Sequence, residues 1–389
     1  MQVSEKLQRF GTTIFAEMTR LATEHQAINL SQGFPDFEGP STIRDAAAKA
    51  MERGFNQYAR SRGVVELAEA VAQHQKRFYD IELDPLSEVG VFAGATEALM
   101  ATMLGLLNPG DEVLMFEPHY DSYPACVAMA HGASKFITLP FPDYTLDIEA
   151  LERAVSPRTR LVLLNTPHNP TSKVFTPSEL DAIADVCRRH DLWVVSDEVY
   201  EHMTYGLPHV PMASRPGMRE RTLTVSSFGK TFSFTGWKIG WASGPAAAIS
   251  AIQAAHQFIT FSVATPLQHA AAFALQELDD EFYRDLRAQY ERRRDHLVNT
   301  LRSIGLEVPL PQGAYFALGR FGDLFDGDDI AFARYLTEKV GVAAIPPSAF
   351  YATAKEEGAR LCRFAFCKRL STLETARQRL WKHFHSESL

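Results

Sequence analysis

Lys230 lies in Ser226-Ser227-Phe228-Gly229-Lys230-Thr231, directly after a short apolar run at 223–226. A lysine amine becomes a nucleophile toward carbonyl carbons when burial and nearby cations lower its pKa. The Gly-Lys-Thr ending also invites a phosphate-loop reading. That loop requires a glycine five residues before Gly229, where Thr224 stands, so the nucleotide reading fails. What remains is a lysine with a hydroxyl three residues before it, Ser227, and a second cation eight after, Lys238.

An aldehyde cofactor with a phosphate and a pyridine ring, pyridoxal 5′-phosphate, calls for this kind of set. Ser227 and Lys238 suit phosphate oxygens, one by hydroxyl and one by charge. Gly94-Ala95-Thr96 joins a strand to a helix, so backbone N–H groups and the helix dipole can receive an anion there. Asp197 follows the apolar run 193–196, at the strand end where open α/β sheets bind ligands. An aspartate there would pair with the pyridine nitrogen and keep it protonated. Tyr200, three residues on, and Asn169, in Asn165-Thr166-Pro167-His168-Asn169-Pro170-Thr171, suit the ring's phenolate oxygen. Taken singly, a strand–glycine–helix turn means close packing, an Asn-Pro pair means a turn, and Asp197 reads as a helix cap. Together they fit the cofactor better than the phosphate-loop reading does.

The elements that must position these groups are legible as an alternation. Strand-like runs at 89–93, 112–116, 161–164, 193–196 and 223–226 are separated by helical patterns at 96–107 and 177–190. The second helix opens Thr176-Pro177-Ser178-Glu179, a cap followed by an N1 proline and an acidic first turn. Strands with little polar alternation, separated by helices, predict a parallel sheet covered on both faces. Past 282 the pattern changes to a charged helix with an apolar stripe at 283–302, followed by segments at 313–318 and 330–340 and a strand-like run at 360–366. The expected organisation is an N-terminal arm (1–40) that joins the smaller α+β domain, a large cofactor-binding domain (41–281) and the small C-terminal domain (282–389).

The whole-chain composition is that of an ordinary globular protein, 46% hydrophobic and 22% charged over 389 residues. A net charge of −8 argues against a general grip on nucleic acid or on an anionic membrane surface. The four cysteines, Cys126, Cys187, Cys362 and Cys367, show no metal or redox spacing, so reduced thiols and no metal site are expected. Residues 1–10 lack the apolar run of a signal peptide, and no stretch nears the roughly 20 apolar residues of a membrane helix. A cytoplasmic location is expected.

The motifs resemble the class I/II, fold-type I aminotransferases. Asn165-x-Pro167-x-Asn169-Pro170-Thr171, Asp197-Glu198-Val199-Tyr200, and Ser227-x-x-Lys230 with Thr235-Gly236-Trp237-Lys238-x-Gly240 keep that family's order and spacing, from Ser31-Gln32-Gly33-Phe34-Pro35-Asp36 to Arg363. Gly11-Thr12-Thr13-Ile14-Phe15, Asn56-Gln57-Tyr58, Glu117-Pro118-His119-Tyr120-Asp121-Ser122-Tyr123 and Ala255-His256-Gln257 are similar to the branch with methionine and kynurenine aminotransferases (glutamine transaminase K). The resemblance implies a large domain with a mostly parallel seven-stranded sheet between helices. It implies that Lys230 is the Schiff-base lysine and the base that moves the substrate α-proton, and that Asp197 is the ring-nitrogen partner. Asn169 and Tyr200 would meet the phenolate oxygen, and Tyr120 would stack on the ring. Ala95, Thr96, Ser227 and Lys238 would form the phosphate cup, and Tyr58 would reach the phosphate of a neighbouring subunit, which makes a homodimer. Arg363 would fork the substrate α-carboxylate, with Gly33 and Asn169 as further contacts. Two positions depart from the family: Lys238 stands where arginine is frequent, and Ser262 follows Phe261 where the kynurenine enzymes commonly have histidine.

The expected activity is ping-pong transfer of an α-amino group to a 2-oxo acid. Phe15, Tyr58, Tyr120 and Phe261 are the candidate lining of the side-chain pocket. Such a lining suits methionine, phenylalanine, tyrosine or kynurenine better than aspartate, and the resemblance puts methionine first and adds glutamine. The same catalytic residues would also serve a C–S β-lyase. A non-enzymatic sensor built on this fold would need an added DNA-binding arm, for which the polar N-terminus is too short.

Overall fold

A computed structural model describes residues 5–11 and 13–386; Thr12 and both chain ends lie outside the described residues. A seven-stranded sheet forms from β1 (Val89–Phe92), β2 (Glu112–Glu117), β3 (Ala133–Thr138), β4 (Thr159–Asn165), β5 (Trp193–Asp197), β6 (Thr222–Ser227) and β7 (Gly240–Ser243), in the order β1-β7-β6-β5-β4-β2-β3. Strands β3, β2, β4, β5 and β6 run parallel. β7 runs antiparallel between β6 and β1. The sheet is therefore mostly parallel, with two strands the sequence reading lacked. β7 is only Gly-Trp-Ala-Ser, too short for a periodic signal, and β3 is broken by Ser134 and Lys135.

The central strands read as unbroken apolar runs because both their faces are buried. On β4, Leu161 and Leu163 join one core cluster, while Val162 and Leu164 join another. The first cluster packs α1 (Gly94–Leu106), α2 (Ser122–Met129) and a helix at Ala246–Ile259 against the sheet. The second packs α3 (Pro177–Arg189), whose start carries the full capping box between Thr176 and Glu179. Each such leucine or valine contributes roughly 1.5–3 kcal/mol by burial, which holds the ends of the central strands in fixed register.

A second body of structure is built on α4 (Asp280–Ser303), the antiparallel pair β8 (Phe316–Arg320) and β9 (Leu361–Ala365), and α5 (Leu370–Ser386). A helix at Ile14–Glu24 and Leu30 belong to the same hydrophobic cluster. The segment at 330–340 is an α-helix over Asp329–Tyr335, and Leu336–Val340 continue it as a wider π turn.

Candidate active site

The parallel register places Asn165 opposite Asp197 at the C-terminal ends of β4 and β5, with β6 ending beside them at Ser227. Lys230 follows on a single helical turn, Phe228–Thr231. β7 brings Gly240 against Gly94, and an added Cβ on Gly240 would meet Ala95 N at 2.6 Å. Gly94 itself has φ +78, and this left-handed turn, which glycine adopts freely, starts α1. These strand ends, the start of α1, the 31–34 loop and β9 surround a cavity of about 290 Å³.

Gly33, Phe15, Ala95, Thr96, Tyr120, Asn169, Asp197, Tyr200, Ser227, Lys230, Lys238 and Arg363 all line it, as the sequence reading expected. Tyr58 and Phe261 do not. They pair edge to face at 5.3 Å on the surface, where Tyr58 is 83% exposed and Phe261 47%. Phe261 thus lies outside the pocket of its own chain, in the bend that follows the helix at Ala246–Ile259.

The cavity's charged lining is three cations and one anion: Lys230, Lys238 and Arg363 against Asp197. Burial raises the Asp197 carboxyl to about 6, opposed by a 2.7 Å hydrogen bond from the Tyr123 hydroxyl and by the Val199 N–H. Burial lowers Lys230 to about 8, so near neutrality an appreciable part of its amine is uncharged and nucleophilic. Lys230 Nζ donates to the Tyr315 hydroxyl at 3.0 Å. At the rim of the cavity Lys238 Nζ lies 3.4 Å from Thr96 Oγ1, beside α1's uncapped N-terminus and Ser227.

Arg363 is 1% exposed and has no carboxylate partner among the described residues. One arm donates to Asn169 Oδ1 at 3.0 Å, the other to the Ser31 carbonyl at 2.9 Å, and Nε has no partner. Burial lowers it to about 10. A buried cation held only by neutral groups is costly until an anion arrives. The set fits pyridoxal phosphate: cations and free helix amides at one end, a buried carboxylate and the nucleophilic lysine between, and the unpaired guanidinium across the cavity.

Sequence reasoning missed Tyr123, Asn165 and Tyr315. Tyr123 and Asn165 stand inside motifs already singled out, and their positions three and four residues from Tyr120 and Asn169 were the available signal. Asn165 joins the two strand ends, donating to the Asp197 carbonyl at 2.8 Å and accepting from the Asn169 N–H at 2.7 Å. Behind the site, His74, Glu201 and His202 cluster in the core. Their two Nε2 atoms lie 2.7 Å apart, a hydrogen bond, whereas two nitrogens on one tetrahedral zinc lie roughly 3.3 Å apart.

Residues 25–380 match the family described as aminotransferase class I and II. The chain is 44% identical to a methionine aminotransferase of Escherichia coli, over 96% of this chain and 97% of that one. It is 40% identical to a kynurenine–oxoglutarate transaminase of Dictyostelium discoideum, over 97% and 96%. The solved N-succinyldiaminopimelate aminotransferase of Mycobacterium tuberculosis superposes with a TM-score of 0.94 at 45% identity, covering 98% of this chain and 99% of that one.

Proposed function

The chain belongs to the class I and II aminotransferases, and from that membership we propose that it moves the α-amino group of methionine, or of another apolar or aromatic L-amino acid, to a 2-oxo acid in two half-reactions. Like the family, it is a pyridoxal phosphate enzyme. When bound, the cofactor supplies an aldehyde that bonds an amine and a pyridine ring that draws electron density from the adjoining carbon.

The observation that carries the reading is the buried, anion-free Arg363 facing a cavity that also holds Lys230 and Asp197. In the proposed arrangement Arg363 takes the amino acid's α-carboxylate by its fork, with Asn169 and Gly33 beside it. Lys230 would receive the α-proton on its amine and give a proton back two atoms away, across the nitrogen. Asp197 would face the ring nitrogen as an anion, Tyr200 and Asn169 would meet the phenolate oxygen, and Tyr120 would cover the ring. Ala95, Thr96, Ser227 and Lys238 would hold the phosphate. The side chain then lies among Phe15, Phe34 and Phe316, with no further cation to receive a distal carboxylate. That lining favours methionine, whose thioether packs well on aromatic rings, over a substrate with a second acidic end.

Arg363→Ala is expected to raise the KM for methionine by roughly two orders of magnitude, since a buried charge-assisted pair is lost. Steady-state kinetics check it; an unchanged KM would show that another group holds the carboxylate.

Tyr58 pairs with Phe261 on the surface, and Phe258 and Ile259, close to Phe261 in sequence, are exposed as well, Phe258 by 86%. In the proposed homodimer these residues meet a second copy and Tyr58 reaches the partner's phosphate cup. Tyr58→Phe should then weaken cofactor retention about tenfold, and the native protein should sediment as a dimer. A fully active monomer would contradict the arrangement. The two-domain division near residues 40 and 281 belongs to the same proposal. So does a cytoplasmic location, supported by four buried, unbridged cysteines and by the lack of a helix long and apolar enough to span a membrane among the described residues.

A further inference from the structure

We propose that Tyr315 is a positioning residue for Lys230: its phenol oxygen holds the lysine amine while that amine is free, and its phenol hydrogen fixes this perch to the backbone at Gly33. The inference rests on the reading that Lys230 carries the substrate proton.

A phenol has one hydrogen to give. Tyr315 donates it to the Gly33 carbonyl at 2.6 Å. Its oxygen is left to accept, and Lys230 Nζ donates to it at 3.0 Å. The direction of both bonds is therefore set by Gly33, which has no hydrogen to offer from its carbonyl. Tyr315 is fully buried, and burial pushes its pKa well above the ordinary tyrosine value, so it remains a neutral phenol.

The ring has little freedom to move. Tyr200 meets it edge-on at 5.0 Å, Tyr290 lies nearly parallel at 6.0 Å, and Phe316 packs at 4.8 Å. The preceding Ala314 donates its N–H to the Met203 carbonyl at 2.8 Å. On the other side, an added Cβ at Gly33 would lie 2.8 Å from the Phe316 ring and 3.1 Å from that of Tyr315, so only glycine lets the 31–34 loop sit this close. The same loop takes the Arg363 guanidinium at the Ser31 carbonyl. One loop thus braces both the amine's perch and the carboxylate holder.

The perch favours the protonated amine, because a hydrogen bond from ammonium is stronger than one from a neutral amine. Lys230 is also faced by Asp197 and the Cys367 thiol, which favour its charged form, and by Lys238 and Arg363, which oppose it, with the neutral Tyr200 phenol nearby. All of these stay in place in Tyr315→Phe, and the phenylalanine ring fills the same aromatic cluster, so the variant removes only the hydroxyl with its two bonds, to Lys230 and to Gly33.

The test uses the cofactor-free protein first. Lys230 is labelled with trinitrobenzenesulfonate across pH and its peptide is read by mass spectrometry. The midpoint should lie near 8 in the native protein and about one pH unit lower in Tyr315→Phe. In the loaded enzyme, kcat with methionine should fall ~10–100-fold while KM moves less than about threefold. An unmoved labelling midpoint would overturn the proposal, and so would an unmoved kcat. Neither result touches the assignment of Lys230 itself, which fails only if Lys230→Ala retains activity.

Discussion

Lys230→Ala is expected to abolish transamination, with a loss of at least ~10⁴-fold, while the protein remains folded. Two proposed roles vanish together. On that proposal the nucleophile that bonds the cofactor aldehyde is lost, and so is the base for the α-proton, a role worth roughly 10²–10⁴-fold alone. No neighbour can take over, because the other cations lining the cavity, Lys238 and Arg363, are engaged by Thr96 and by Asn169 and Ser31. The fold should survive, since Lys230 stands on a single turn at the cavity wall and its amine makes one hydrogen bond, to Tyr315. The check is a purified variant with native circular dichroism, no visible absorbance from lysine-bound cofactor, and no keto acid from methionine. Residual turnover within tenfold of the native rate would remove Lys230 from its role.

Asp197→Ala carries the next largest effect, an expected slowing of α-proton loss by about 10³-fold together with weaker cofactor retention. The carboxylate sits at the end of β5, is 4% exposed, and is aimed by Tyr123 and the Val199 N–H. In the proposed arrangement an ionised partner at that depth would hold a proton on the ring nitrogen, and the ring's electron withdrawal would depend on that proton. Burial already raises Asp197 to about 6 without the cofactor. Cofactor affinity should therefore hold above pH 6 and fall as pH drops through it, when the carboxyl takes up a proton and ceases to be an anion. Tyr123→Phe removes a bond that favours the ionised form, so the fall should begin at higher pH. Rapid-quench measurement of a single half-reaction separates the two effects; a near-native rate in Asp197→Ala would exclude it as the ring-nitrogen partner.

Much of the site was legible because its chemistry is carried by residue types at strand ends. Lys230, Asp197 and Ser227 each follow an apolar run, and a parallel sheet must bring such ends together. The apolar runs themselves announced strands buried on both faces, as the alternation of Leu161 and Leu163 with Val162 and Leu164 between two cores bears out. Sequence signals failed where the positioning depends on partners far along the chain. Tyr315 lies 85 residues from Lys230 and 282 from Gly33, and nothing in its neighbours marks where its hydroxyl points. β7 was hidden because four residues, three of them small, carry no period. Tyr58 and Phe261 lie on the exterior of their own chain, so their proposed contribution needs a second copy that one sequence cannot display.

The measurement that tests the central claim most directly is the absorbance spectrum of the purified protein, before and after methionine is added without any 2-oxo acid. The account predicts a visible band from the lysine-bound cofactor that moves to the near ultraviolet on addition of methionine and returns when a 2-oxo acid follows. A protein that shows no band, even after incubation with pyridoxal phosphate, would contradict the account from Lys230 outward.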